Sequence, residues 1–236
     1  MIRGIVTIFA CAVAGMSVAA PDVPLRPFQS SYEVLWKGFS GGIASFDLRQ
    51  DEAGTWTYTN TNRPHGLFRL VSKASLTLTS RMSVDSDGVR PLAFTAKDPD
   101  DGESQAELNF DWAASRVTGF VEKARIDMAL KPGVQDDLSI QVALISSLEN
   151  GHVPSGISLF DKDGVRDYDY AQVGTETLHT PAGDFPTVIY RSHKQNSPRS
   201  TRFWCAPSLG YIPVQAEQQY KGKVEWTMKL KSVHRD

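Results

Sequence analysis

The residues Gly38-Phe39-Ser40-Gly41-Gly42 satisfy the pattern G-x-S-x-G, in which a serine on a sharp turn is the nucleophile of α/β-hydrolases. That chemistry requires a buried parallel strand before the serine and a helix after it. Here the residues on both sides of Ser40 alternate as strands do, and no helical pattern follows. We therefore predict a glycine-rich β-turn and keep a hydrolase using Ser40 as the least favoured hypothesis.

Cys205 is a second candidate nucleophile. It alternates with Phe203, opposite Trp204 and Arg202, and no histidine is close to it in sequence. A buried free cysteine behaves as a small hydrophobic residue. The sequence thus favours a packing role for Cys205, and leaves a histidine that is distant in sequence as the open alternative.

Metal chemistry finds little support. The histidines are scattered, and none forms an H-x-H or H-x-x-x-H pair: His65, His152, His179, His193 and His234. Residues 161–169 resemble a calcium loop but lack the glycine at loop position six and the glutamate at position twelve. We predict no catalytic residue, no metal and no cofactor.

The charge balance bears on partners. The chain has 25 basic and 27 acidic residues, a net charge of −2, whereas nucleic-acid binders are usually basic. We therefore expect no nucleic-acid partner. Residues 191–202 are locally basic and predict a long hairpin, which would either meet an anionic partner such as a lipid headgroup or simply be a polar loop.

The N-terminus reads as an export signal. Arg3 precedes an apolar stretch at 5–18 that is too short to span a bilayer, and small residues lead up to Ala20. We predict cleavage after Ala20, a periplasmic location, and a single β-rich domain at 21–236. A lipoprotein anchored through Cys11 is disfavoured, and no later stretch is apolar enough to cross a membrane.

Alternation with period two dominates the rest of the chain. In 223–231 the apolar residues fall on one face and the lysines on the other, and 105–112 repeats the pattern. Such strands form antiparallel sheets with one solvent-exposed face, and the sequence contains roughly a dozen of these strands. Residues 137–149 instead show helical spacing, with Asp136 or Asp137 able to cap the start and Gly151 able to end the helix.

One helix cannot cover both faces of so many strands. We therefore predict a mainly β fold: a large curled antiparallel sheet, an open or nearly closed barrel, with one main α-helix packed on its concave side. A shorter helical turn is predicted at 65–73. Part of the sheet's apolar face would then line a ligand pocket, formed by Tyr32, Trp36, Phe68, Trp204, Trp226 and Met228.

Several motifs recur together and in order: SYEVLWKGFSGG near the start, GLFRL at 66–70, NFDWAASRVTG at 109–119, QDDLSIQVAL at 135–144, TPAGDFPTVIYR at 180–191 and TRFWCAPSLGYIPVQAE at 201–217. The chain thereby resembles an exported bacterial family known as domain of unknown function 3108. The resemblance implies a β-rich periplasmic protein with no established catalytic residues. It also implies packing for Cys205, where the family usually has an aliphatic residue.

The sequence therefore favours a non-enzymatic periplasmic binding or carrier protein for a hydrophobic or lipid-like ligand. The alternative is an envelope interaction or scaffold protein with a filled core. The space that the curled sheet encloses should distinguish them, because ligand sites usually exceed about 300 Å³.

Overall fold

The computed structural model describes residues 25–66, 76–98, 102–161 and 164–235. The predicted alternation forms one sheet of 15 strands. The strands are Phe28–Trp36 (β1), Phe39–Gln50 (β2), Trp56–Pro64 (β3), Thr77–Asp85 (β4), Gly88–Lys97 (β5), Ser104–Asp111 (β6), Arg116–Val121 (β7), Ala124–Ala129 (β8), Val134–Gln135 (β9), Gly156–Asp161 (β10), Gly164–Thr180 (β11), Gly183–Lys194 (β12), Arg199–Ala206 (β13), Ile212–Tyr220 (β14) and Lys223–Arg235 (β15).

The sheet consists of two meanders that are joined where β1 pairs with β15. Its order is β8-β7-β6-β5-β4-β3-β2-β1-β15-β14-β13-β12-β11-β10-β9, so the first and last strands pair with each other. Every neighbouring pair is antiparallel except the short β9 beside β10. β8 and β9 are the two edges, and the sheet is not closed into a barrel. The predicted curled antiparallel sheet is confirmed in its open form.

The predicted main helix is confirmed as Ser139–Glu149 (α1), on the concave side of the sheet. Asp136 fixes its start, because Oδ1 accepts the N–H groups of Leu138 and Ser139 at 2.9 and 2.8 Å. Its Oδ2 accepts the Ser80 hydroxyl of β4 at 2.6 Å, which ties the helix to the sheet. Gly151 follows the helix with a φ of +75°, a conformation that glycine adopts at no steric cost.

α1 is buried on more than one side. Val142 and Ile145 belong to the main core cluster, whereas Leu144 and Leu148 pack in a second cluster with Cys205 and with tyrosines of β11 and β12. A helix that is apolar around most of its circumference is a buried helix. α1 therefore packs against the concave face of the curled sheet along more than one of its sides. The shorter turn predicted at 65–73 lies outside the described residues beyond position 66.

The alternation predicts the face of the sheet on which a side chain lies better than it predicts how deeply that side chain is buried. In β6, Ala106, Leu108 and Phe110 are buried between exposed neighbours, as expected. In β15, Leu230 is fully buried, but Trp226 on the same face is 40% exposed. Residues on one face are therefore buried to different extents, because the row extends beyond the region that packs around α1.

Candidate ligand-binding surface

Two tight hairpins build one end of the sheet, which we call the hairpin end. Lys37 and Gly38 join β1 to β2 with φ values of +48° and +86°, and Lys221 and Gly222 join β14 to β15 with +49° and +77°. Two successive positive φ angles are typical of a type I′ turn, which suits the twist of paired strands. Because β1 pairs with β15, the two turns lie side by side.

Large apolar side chains are exposed at this end. Trp36 is 37% exposed, Phe39 70%, Val224 39% and Trp226 40%. Trp36 pairs with Phe39 across one hairpin and with Trp226 across the β1–β15 ladder, and the two indole rings are 6.4 Å apart. We call Trp36, Phe39 and Trp226 the aromatic surface. Val224 is not part of it, because a bulge in the β14–β15 ladder pairs Val224 with Gln219 and Trp226 with the adjacent Gln218, so the two side chains lie on opposite faces.

The aromatic surface continues the core face of the sheet. Tyr32, Val34 and Trp36 follow one another on one face of β1, opposite Leu230, Met228 and Trp226 on β15. Burial decreases along both rows, from buried Tyr32 and Leu230 through half-buried Val34 and Met228 to the exposed tryptophans.

The helix explains this gradient of burial. Its contacts reach Tyr58, whose hydroxyl donates to Gln141 at 3.4 Å, and Arg235, which forms an ion pair with Glu149. Tyr58 and Arg235 both lie in the halves of β3 and β15 that are remote from the hairpin end. α1 therefore covers the apolar face at the opposite end of the sheet and leaves the aromatic surface accessible.

Basic side chains surround the aromatic surface. The Lys37 ammonium lies 4.7 Å from the centre of the Trp36 ring, and Arg199 and Lys221 lie 5.0 and 5.4 Å from the Tyr220 ring. Lys223 is exposed beside them. Of these cations, Arg199 is also 3.6 Å from the carboxylate of Glu225. We call Lys37, Arg199, Lys221 and Lys223 the basic rim.

The other predicted pocket residues are placed differently. Tyr32 is buried, donates its hydroxyl to the Pro213 carbonyl at 2.8 Å and meets the Phe46 ring edge-on at 5.5 Å. Trp204 is also buried, and its indole N–H donates to Glu176 at 2.9 Å. Both side chains are satisfied within the packed structure. Phe68 lies outside the described residues.

The structure therefore brings Trp36, Trp226 and Met228 together and adds a residue that the sequence did not single out. The added residue is Phe39, which follows the Lys37-Gly38 turn and pairs with Trp36. The repeated Lys-Gly pair with aromatic residues beside it is the signal that could have identified the surface.

Ser40 does not form a catalytic triad. Its hydroxyl donates to Glu33 at 2.8 Å, and Nε2 of His65 lies 3.3 Å from the same oxygen. A triad requires the serine to donate to the histidine and the acid to bind the other ring nitrogen. The single hydroxyl proton is directed to Glu33 instead. Ser40 is an exposed residue at the start of β2, and a strand rather than a helix continues from it.

The two outer glycines of the motif have structural reasons. Gly38 supplies the positive φ of the turn. A Cβ on Gly42 would lie 2.6 Å from the carbonyl oxygen of Arg63 on β3. The pattern G-x-S-x-G is thus explained by a turn and a close strand approach.

Cys205 is fully buried in the second cluster, and burial raises the pKa of its thiol. A raised thiol pKa lowers the thiolate fraction, and the thiolate is the reactive form. The expected packing role for Cys205 agrees with this environment. No group of three or more His, Cys, Asp or Glu side chains that could hold a metal ion comes together in the part of the chain described.

A second concave feature lies beside α1. It is an open cleft of about 800 Å³ between the helix, the β4–β5 turn and residues 152–158. Its lining mixes apolar residues such as Trp56 and Val89 with polar ones such as Asp85, Ser147 and His152. None of the predicted pocket residues lines it.

Comparison with known proteins identifies the family. The profile of the family described as Protein of unknown function (DUF3108) matches residues 31–227, and the chain belongs to this family. The resemblance noted in the sequence is thereby confirmed. No curated protein matches the chain in sequence.

Solved structures support the fold. A β-barrel-like protein of the DUF1849 family from Brucella abortus is similar to this chain, with a TM-score of 0.55 and 14% identity, over 91% of this chain and 99% of that one. At this identity the likeness concerns the fold alone.

Two other solved structures are similar at lower scores. A protein with a YmcC-like fold from Bacteroides fragilis has a TM-score of 0.38 and 13% identity, over 89% of this chain and 96% of that one. MucB in its complex with MucA, from Pseudomonas aeruginosa, has 0.39 and 12%, over 89% of this chain and 52% of that one. Both scores are too low to support an argument.

No helix within the described ranges combines the length and apolarity needed to cross a membrane.

Proposed function

We propose that this protein is a non-enzymatic binding protein of the bacterial envelope that holds a hydrophobic or lipid-like ligand on its aromatic surface. The export signal expected at residues 1–20 supports the envelope location. The proposal moves the expected site from the interior of the sheet, where α1 packs, to the hairpin end.

One observation carries the proposal. Among the described residues, three of the seven exposed large apolar side chains lie together, because Trp36 pairs with both Phe39 and Trp226 in adjacent strand ladders. Of the remaining four, Met128, Val153 and Val173 lie in other parts of the chain, and Val224 lies on the opposite face of the β14–β15 hairpin. Contiguous exposed apolar surface marks interaction sites, whereas single exposed apolar residues are ordinary.

The geometry suggests how an acyl chain would bind. The chain would lie against the two indole rings and extend along the inner face toward Met228 and Val34, which are half-buried. Aromatic side chains contribute large contact areas, and burial of apolar area is worth about 25 cal/mol per Å². The basic rim would attract an anionic headgroup at the edge of the aromatic surface.

The non-enzymatic part of the proposal rests on the arrangement around Ser40. The hydroxyl donates to Glu33 rather than to His65, and the group is open to solvent. Cys205, the other nucleophile considered, is fully buried.

A second candidate is an envelope interaction protein that binds an apolar protein segment on the same surface. The open position of the aromatic surface favours it, because small-molecule sites usually enclose most of their ligand. The two candidates differ in whether the surface binds isolated lipid-like molecules.

The test is calorimetric titration with a monomeric anionic lysophospholipid below its micelle concentration. We expect saturable binding with a negative heat-capacity change, the signature of apolar burial. Replacing both Trp36 and Trp226 by serine should weaken binding at least about tenfold. The reason is that each substitution removes more apolar contact area with the ligand than the loss of one methylene group would.

The matched control is Val173→Ser, which removes an exposed apolar side chain of β11. It should leave the affinity unchanged. No binding by the wild-type protein, together with photo-crosslinks from position 39 to an envelope protein, would instead establish the interaction-protein candidate.

A further inference from the structure

We infer that the hairpin end docks the protein onto the surface of a lipid bilayer that contains anionic headgroups. This inference rests on the proposed function for the role of the aromatic surface, and it adds a partner: an intact membrane rather than a single lipid-like molecule. Its evidence is the arrangement of charge around the exposed tryptophans.

The composition of the hairpin end is suited to a bilayer interface. Tryptophan has an apolar body and a polar N–H, and it is enriched at the level of lipid headgroups. Trp36 directly precedes the Lys37-Gly38 turn and has the Lys37 ammonium 4.7 Å from its ring centre. Trp226 pairs with Trp36 across the β1–β15 ladder. Amphipathic elements that lie in the interface combine these two classes of side chain, basic at the headgroups and aromatic beneath them.

The local charge differs in sign from that of the whole chain. The chain carries a net charge of −2, yet the basic rim contributes four cations within two turns and the start of β13. One of them, Arg199, is offset by Glu225 at 3.6 Å. Lys37, Lys221 and Lys223 remain exposed. A cationic cluster is attracted to anionic lipid headgroups over about the 8 Å Debye length.

The acidic residues nearest this cluster are matched by cations, because Glu225 lies 3.6 Å from Arg199 and Glu33 lies opposite Lys229 across the β1–β15 ladder. Other acidic residues at this end are more distant along the sheet. Asp98 and Glu103 flank the β5–β6 connection, and β5 lies four strands from β1 in the sheet. Four strand spacings correspond to roughly 19 Å along the sheet, which exceeds the Debye length. The contact is therefore confined to the hairpins β1–β2 and β14–β15, where aromatic and basic side chains coincide.

The experiment is co-sedimentation of the mature protein with two kinds of vesicle, pure phosphatidylcholine and phosphatidylcholine mixed with phosphatidylglycerol. We expect binding to the anionic vesicles, weakened by salt, and at least about tenfold weaker partition into the neutral ones. The rim variant Lys37→Glu, Lys221→Glu, Lys223→Glu should lose at least about tenfold on anionic vesicles. A matched variant, Lys123→Glu, Lys131→Glu, Lys231→Glu, makes the same charge change at exposed positions elsewhere and should bind within about twofold of wild type.

The monomeric lysophospholipid titration separates this inference from the proposed function. The rim variant should still bind monomeric lysophosphatidylcholine, whose headgroup has no net charge, through its tryptophans, whereas the double variant of Trp36 and Trp226 should lose both this monomer and the vesicles. Equal partition into both vesicle types, no vesicle binding at all, or equal losses in the two lysine variants would overturn membrane docking. Vesicle binding that depends on the rim, with no binding of the monomer, would overturn the proposed function while membrane docking stands. Urea unfolding of each variant verifies that the fold is retained.

Discussion

At the scale of single residues, Gly38 and Gly42 of the G-x-S-x-G pattern are required by backbone geometry rather than by catalysis. A Cβ at Gly42 would approach the Arg63 carbonyl oxygen to 2.6 Å and the Pro64 Cα to 2.9 Å, and both atoms belong to the backbone of β3. Backbone atoms cannot move aside as a flexible side chain can. The hydroxyl of Ser40, two residues earlier, is exposed and touches only side chains.

We therefore expect Gly42→Ala to lower the free energy of unfolding by about 1–3 kcal/mol, the usual cost of overpacking. Ser40→Ala should change it by less than about 0.5 kcal/mol. Urea titration of the two variants measures both quantities. Equal stability of Gly42→Ala and Ser40→Ala would show that β2 and β3 are not this close.

A second prediction for a single residue concerns the reactivity of the Cys205 thiol. Its side chain has no exposure, and burial raises the pKa of the thiol. In a Cys11→Ser background, a thiol reagent should modify Cys205 only as fast as the protein unfolds, and at once in denaturant. Rapid stoichiometric labelling of the native protein would contradict the packing role.

At the scale of elements, the attachment of α1 depends on one buried carboxylate. Burial raises the pKa of Asp136 above its ordinary value, although backbone and hydroxyl hydrogen bonds oppose this shift. As the pH rises, the unfolded chain ionises near pH 3.9 while the folded protein stays protonated until its raised pKa. The folded state then binds more protons, so the contribution of Asp136 to stability falls across this window.

The test compares wild type with Asp136→Asn, which keeps an oxygen acceptor for the N–H groups of Leu138 and Ser139. The difference in unfolding free energy, wild type minus variant, should decrease as the pH rises from about 3.9 to the folded pKa and should then level off. Parallel pH profiles for wild type and Asp136→Asn would refute the assignment.

The elements also show what the sequence could and could not predict. Period-two alternation assigned the faces of β6 correctly, and those of Trp226, Met228 and Leu230 in β15, but a bulge puts Val224 on the opposite face. Helical spacing located α1 at 137–149 against the observed Ser139–Glu149. Alternation fixes the face on which a side chain lies but carries no information on how far the covering helix extends. Trp226 and Leu230 share a face and a pattern, yet only Leu230 lies under the packed core.

At the scale of the whole molecule, the fold divides one continuous apolar face into two regions. At one end α1 and the strands bury it completely, and at the hairpin end it remains accessible between lysines. The same division explains why Tyr32 and Trp204 act in packing while Trp36 and Trp226 are available to a ligand. The cleft of about 800 Å³ beside the helix is the competing site, and Trp56 lines it.

The five tryptophans of the chain allow the two sites to be distinguished in one measurement. In a nitrogen–proton correlation spectrum, a lysophospholipid with a spin-labelled acyl chain broadens the indole signals that are near the bound chain. Binding at the aromatic surface predicts that the signals of Trp36 and Trp226 broaden, while those of Trp56 and Trp204 remain sharp. Selective broadening of Trp56, or of none of the five, would contradict a ligand site at the hairpin end.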